Sequence, residues 1–256
     1  MNSKRRFLVV VLVAASLVMA SDIAGAEAWT ADDLAAALNG PDRSDADKAR
    51  DAGRKPAEVV VFGGIEPGMA VLDVMASGGW YTEVLSIATG PDGTVYSQNP
   101  QSYLERRDGA NLKALNERLG DDRLPNVVRT IGELGELDIE PGSVDAALTA
   151  LNFHDIYNFI GAEAATAFLQ NIYRYLKPGG VLVMIDHIGN SGGENTKLHR
   201  IPKQDVLDLI AGTGFVVEAD SELLANPADD HTQMVFGKDM RGNTDRFLLK
   251  LRKPAS

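Results

Sequence analysis

The 256 residues, 45% hydrophobic and 6% aromatic, suit one globular domain with a sizeable core and leave no room for a second full domain. With 36 acidic against 25 basic residues the net charge is −11, and no basic cluster occurs beyond the first few residues and the closing LLKLRKP, which argues against nucleic acid or anionic lipid as a partner. Cysteine is absent, so disulfides, thiolate metal sites and lipid-anchor cysteines are excluded.

In chain order, the first element is a targeting segment. Lys4, Arg5 and Arg6 precede an apolar run from Phe7 to Ala15, continued by Leu17 to Ala20, and small residues follow, with Ala-x-Ala cleavage sites at Ala24-Gly25-Ala26 or Ala26-Glu27-Ala28. The expectation is a signal peptide over 1–28, hence an exported, periplasmic protein with no stable membrane insertion after cleavage. An uncleaved anchor is the bland alternative, and Arg5-Arg6-Phe7-Leu8-Val9 loosely matches a twin-arginine signal, a route that exports proteins already folded. Removal of 1–28 leaves 22 basic and 34 acidic residues, a net charge of −12.

Residues 29–66 read as a helical extension. From 67 to 256 strand-like and helix-like segments alternate. AVLDVMA (70–76), TVYSQN (94–99), NVVRTIG (126–132), VDAALTAL (144–151), GVLVMIDH (180–187) and FVVEAD (215–220) are short aliphatic or β-branched runs. Helical spacing marks 162–176, with Ala165, Phe168, Leu169, Ile172 and Leu176 on one face, and 202–211, with Val206, Leu209 and Ile210 inward. Gly179-Gly180 and Gly212/Gly214 are expected to stop these two helices. Such repeated units predict an α/β, Rossmann-like three-layer sandwich with a mostly parallel seven-stranded sheet. After a polar stretch at 221–244 with no helical period comes DRFLLKLRK, which without a crossover helix is expected to run antiparallel as the last strand.

In an open parallel sheet, ligands sit beyond the carboxyl ends of the strands, closest to the first strand-to-helix turn. Here that turn is DVMASGGWYTE, with adjacent Gly78 and Gly79 and then a helix start. On this stretch, on GTVYSQN, PGSVDAAL and YLKPGGVLVMID, and on the antiparallel finish, the chain resembles the class I S-adenosylmethionine-dependent methyltransferases, in particular an exported methyltransferase-like group. The likeness covers about 55–254 and implies S-adenosylmethionine as cofactor, methyl transfer to a small-molecule acceptor, and a role for Asp73 near the methionine amino group. It implies Ser77, Gly78 and Gly79 as the loop under the methionyl end, Asn99 at the ribose and Glu133 near the adenine. Met75, Ser77 and Asn99 depart from the family's commoner residues, which puts the strength of the grip in question more than the fold.

All four histidines, His154, His187, His199 and His231, map to the carboxyl edge. A displacement on a sulfonium carbon requires a positioned acceptor and, for a protonated one, a base. His154, aided by Asn152 and Asp155, is the expected base, with His187 or His231 second; Phe153, Tyr157, Trp80 and Tyr81 are expected to wall the acceptor pocket. A metal is not expected, because no HxH or HxxxH spacing occurs, although strand-end acids and histidines leave a metal-assisted enzyme as an alternative, beside a non-catalytic binder of small ligands. Asp229-Asp230 reads as a turn or helix-cap pair.

Overall fold

The computed structural model describes residues 28–255, so the signal-peptide expectation lies outside the described residues. The described residues open with four short helices, α1 (Ala31–Leu38), α2 (Asp45–Lys48), α3 (Asp51–Arg54) and α4 (Pro56–Gly63). Thr30 and Ser44 accept hydrogen bonds from the N–H groups of Asp33 and Asp47 and so cap α1 and α2, Pro56 occupies the first turn of α4, and Gly64 ends it at φ +70°. β1 (Ala70–Val74), α5 (Trp80–Thr89), β2 (Thr94–Asn99), α6 (Gln101–Leu104), α7 (Arg106–Leu119), β3 (Val127–Ile131) and β4 (Val144–Ala150) follow. Then come α8 (Phe153–Phe159), α9 (Ala162–Tyr175), β5 (Leu176–His187), α10 (Asn195–Leu198), α11 (Lys203–Ile210), β6 (Val216–Ser221) and β7 (Arg246–Arg252). No helix among the described residues is long and apolar enough to cross a membrane.

One seven-stranded sheet has the order β3-β2-β1-β4-β5-β7-β6. The first five strands are parallel; β7 inserts between β5 and β6 and runs antiparallel to both. Alternate side chains feed two separate cores. Leu72, Leu182, Met184, Phe247 and Leu249 pack with α9 and α11 on one face, while Val71, Val183, Ile185 and Leu248 pack with α1, α4 and α5 on the other. This burial on both faces explains why the strands read as near-continuous apolar runs.

The helix stop before β5 differs from expectation. α9 ends at Tyr175, and Gly179 and Gly180 lie inside β5, where the pairing jumps from Val144↔Leu176 to Ala146↔Val181. Pro178 disfavours helical backbone at Lys177, so the chain turns extended before the glycines are reached. Gly179, at φ +80°, serves the bulge instead.

The polar 221–245 segment is strapped to the sheet by a fully buried ion pair. Arg200 donates two hydrogen bonds to Asp229 (2.8 and 3.0 Å) and others to the carbonyls of Ile188 and Gln233. Asp229 also accepts from the N–H groups of His231 and Asp245, so it is a buried anchor and not merely a turn residue. Removing one partner of such a pair strands the other charge at a cost of about 3–5 kcal/mol. Arg200→Leu is therefore expected to lower unfolding free energy in urea by about that much, and Lys197→Ala, which breaks an exposed pair with Glu194, by under about 0.5 kcal/mol. Equal effects would show that Arg200 is not the strap.

Candidate active site at the carboxyl edge of the sheet

Between β1 and α5 the chain turns through left-handed backbone three times, at Met75 (φ +52°), Ser77 (φ +57°) and Gly79 (φ +79°). Only at Gly79 is that conformation free of strain; a side chain there costs roughly 1–2 kcal/mol per residue. Residues at the end of β2 hold the turn in place. Gln98 accepts from the N–H of Met75 through its side chain (3.0 Å) and from that of Ala76 through its carbonyl (2.9 Å). The Asn99 side chain accepts from the N–H of Ser77 (2.7 Å) and its amide reaches the Ser77 carbonyl (3.3 Å). At Gly78 the constraint is space: a Cβ there would stand 2.9 Å from that of Ala114 on α7.

This arrangement corrects the role expected for Asn99. Its side chain is fully buried and both polar ends are committed to Ser77, so it latches the loop and does not face a ribose. Spacing along the chain placed it beside the loop correctly but carried no information on where the amide points. Glu133 is exposed and lies outside the cleft lining, so it is not positioned as an adenine contact.

The loop forms the floor of a cleft of about 940 Å³. Asp73, 2% exposed, accepts a 2.6 Å hydrogen bond from Thr82. Burial pushes its carboxyl up to about 7, against the opposing effects of Thr82 and Arg118. It is the only acid among the lining residues, whereas six arginines, Arg50, Arg54, Arg107, Arg118, Arg241 and Arg246, line the same space. Arg118 is spent on Glu83, Asp47 and the Gly78 carbonyl. Arg54 has no carboxylate within ion-pair distance among the described residues and lies over Trp80, 4.6 Å from the ring centre, with Arg50 at 5.2 Å. Burial and the neighbouring Arg54 push Arg50 down to about 10. The cleft is thus strongly cationic within an anionic protein. Trp80 and Tyr81 do wall it; Phe153 is buried in the core and Tyr157 pairs with Asp205 outside it.

His154 is not placed as a base. It lies in the first turn of α8, is 1% exposed and falls outside the cleft lining. Its Nδ1 lies 2.6 Å from Asp186 and its backbone N–H donates to the same carboxylate (2.8 Å). Burial opposes its charge, but Asp186 and Asp155 outweigh burial and raise the imidazole to about 10. In this environment it is already protonated near neutrality and cannot take a proton. Asp155 is half-buried and pairs with His199 (2.8 Å). Asn152 does line the cleft: it accepts from Thr149 (2.7 Å), and its amide approaches the carbonyls of Ala150 and Met75, tying β4 to the loop.

His187 is the histidine that reaches the cleft, held through Nδ1 to Thr244 (2.8 Å). Burial, reinforced by His154, Arg246 and Arg200 against the pull of Asp186, lowers it to about 3, so its imidazole is neutral and weakly basic. His231 bridges Asp245 and Asn190 away from the cleft. The arginines of the N-terminal helices are the residues that sequence reasoning missed. The available signal was the basic run Arg43, Lys48, Arg50, Arg54 and Lys55 within an extension of an acidic chain.

Residues 72–184 match the methyltransferase domain family. Solved structures share the fold. A SAM-dependent methyltransferase from Aquifex aeolicus superposes with a TM-score of 0.60 at 20% identity, over 88% of this chain and 99% of that one. Geranyl diphosphate C-methyltransferase from Streptomyces coelicolor A3(2), solved with S-adenosyl-L-homocysteine, superposes at 0.58 and 16% identity, over 85% and 84%. A putative sarcosine dimethylglycine methyltransferase from Galdieria sulphuraria gives 0.54 and 16%, over 80% and 85%. No curated protein matches by sequence.

If the loop is strained at Ser77 and latched by Asn99, two substitutions move stability in opposite directions. Ser77→Gly is expected to raise unfolding free energy by about 1 kcal/mol. Asn99→Ala, which leaves a buried N–H and carbonyl without partners, is expected to lower it by about 1–3 kcal/mol. Chemical denaturation of the two variants beside the parent checks both signs.

Proposed function

We propose that the chain is a class I S-adenosylmethionine-dependent methyltransferase, a reading supported by the methyltransferase domain match over residues 72–184 and the shared fold, and that it methylates a small acceptor carrying an anionic group, in the cell envelope. The residues present fit the cofactor. The cleft volume lies in the range of ligand sites, Ser77 and Gly78 line its floor, and Asp73 is a buried carboxyl for which a cationic neighbour would relieve the cost of ionisation. Asp73, Ser77 and Gly78 would hold the methionyl end. Bound there, the cofactor supplies an electrophilic methyl group on a sulfonium.

The observation that carries the acceptor class is the excess of arginine over acid in the cleft, which persists with Arg118 set aside as the partner of Glu83 and Asp47. The cofactor bears one carboxylate and two positive centres, so it leaves that excess unneutralised. An acceptor with an ionised group neutralises it, and paired guanidinium groups hold such a group in a fixed orientation. Arg54 and Arg50, fixed over Trp80, are the residues assigned to this task. Where the ionised group is itself the nucleophile, no proton is released and no base is needed, which agrees with a cleft whose histidine is too weak to store a proton. The chain's contribution is then proximity and orientation: the arginines and the aromatic wall hold the nucleophile in line, and His187 orients by hydrogen bonding. The envelope location is supported by the basic head, apolar run and small-residue sites of residues 1–28.

Two measurements test this reading. Titration calorimetry of residues 29–256 with S-adenosylmethionine should show binding that strengthens from pH 6 to pH 8. The ordinary carboxyl value is 3.8 and the folded value about 7, so Asp73 is protonated at pH 6 in the folded protein. Its contribution to folding stability is therefore greatest at low pH and declines as pH rises through that window, whereas a cofactor ammonium favours the ionised form that prevails above 7. The expected gain is roughly tenfold, and Asp73→Asn should bind weakly and without this pH dependence. Binding that is flat with pH, or absent at millimolar cofactor, contradicts the assignment. In a screen of acceptors, Arg54→Ala should raise KM for carboxylate- or phosphate-bearing compounds, and His187→Gln should keep turnover within about tenfold, where loss of a true general base costs about 10²–10⁴.

A further inference from the structure

Beside the cleft, three side chains that the methyl transfer does not use converge. His154 Nε2 lies 3.1 Å from Asp155 Oδ1, and His199 Nδ1 lies 2.8 Å from that same oxygen. All three atoms fall within 4.8 Å of one another. From this geometry we infer that His154, Asp155 and His199 form a site for a divalent transition metal, zinc(II) above all, with one coordination position left for water.

Four observations carry the inference. First, His154 Nε2 is buried and has no hydrogen-bond partner among the described residues; the nearby Asp155 oxygen is close without the alignment of a hydrogen bond. A buried ring nitrogen aimed at a carboxylate and a second imidazole is an unused ligand atom. Second, the other ring nitrogen of His154 lies 2.6 Å from Asp186, which is fully buried. A carboxylate behind a ligating histidine fixes the ring and selects the tautomer whose far nitrogen faces the metal. Third, the charges balance: a divalent ion that takes the place of the proton His154 carries in the metal-free protein leaves two neutral imidazoles with the carboxylates of Asp155 and Asp186, whose −2 it neutralises. Fourth, His199 is walled by Phe159 and Phe236, with ring centres 5.5 and 4.8 Å away, which excludes water from one side.

Two imidazoles and one carboxylate make a donor set that suits zinc. Tetrahedral bonds of about 2.0–2.1 Å put ligand atoms about 3.3 Å apart, so the cluster must open by only a few tenths of an ångström on its shorter edges. Such an ion would tie α8 to the segment after α10. Because Phe236 belongs to the cleft wall, it would also fix that wall. The pattern is invisible as a spacing motif, since His154 and Asp155 are adjacent while His199 is brought in by the fold.

The test uses tag-free protein of residues 29–256, stripped with chelator and dialysed against zinc at micromolar free concentration, with metal measured by elemental analysis. One zinc per chain is expected. Cobalt(II) in its place should give the strong visible absorption of a tetrahedral site. His199→Ala, a half-buried position, should weaken zinc binding about 100-fold or more, and His199→Cys should retain it, while His231→Ala should change nothing. Circular dichroism establishes that the variants are folded. Absence of bound zinc in the parent, or binding that His199→Ala and Asp155→Asn leave unaltered, overturns the inference.

Discussion

The carboxyl edge depends on one constraint: the chain must leave β1 and enter α5 through left-handed backbone at Met75, Ser77 and Gly79. That path lays Met75 to Gly78 along the floor of the cleft. Glycine would make the path easy at all three positions. This chain uses it at one, and β2 supplies the difference through hydrogen bonds from the loop backbone to Gln98 and Asn99. A turn held from the neighbouring strand is preorganised before any ligand arrives, which is the condition under which binding energy is not lost in ordering the site. Other left-handed residues, Leu151, His199 and His231, lie along the same edge.

Much of the fold was legible. Apolar runs with two buried faces announced a parallel sheet, and the lack of a helix between residues 221 and 244 announced the antiparallel β7. Less legible was where β7 goes. Its insertion between β5 and β6 follows from pairing with Leu182 and Met184 on one side and Val217 on the other, a choice that the chain's local pattern does not encode. The site was legible in position and not in orientation. Asn99 lies where spacing puts a ribose-binding residue, yet its side chain turns inward to the loop. His154 sits next to the cleft, but Asp186 draws it into the core through both ring and backbone. Such choices are made by contacts 22 and 32 residues away, beyond the reach of periodicity.

Electrostatics separates the site from the rest of the molecule. The whole chain is acidic, and the cleft is arginine-lined with Asp73 as its one acid. Two of its six arginines, Arg50 and Arg54, come from the N-terminal helical segment, which folds over Trp80 and converts what reads as an extension into a wall of the site. A low-dielectric cleft of fixed positive charge attracts anionic ligands and orients them. Its histidine is kept neutral chiefly by burial, to which Arg246 adds.

The central claim is that β2, by holding the left-handed turn, makes the cofactor floor. Calorimetric titration of the parent and Asn99→Ala with S-adenosylhomocysteine tests it most directly, because Asn99 lies outside the cleft lining. The account predicts that the parent binds and that Asn99→Ala loses about tenfold or more in affinity, roughly 1.4 kcal/mol, while remaining folded. Equal affinity in the two proteins, or no binding by the parent at millimolar ligand, would contradict it.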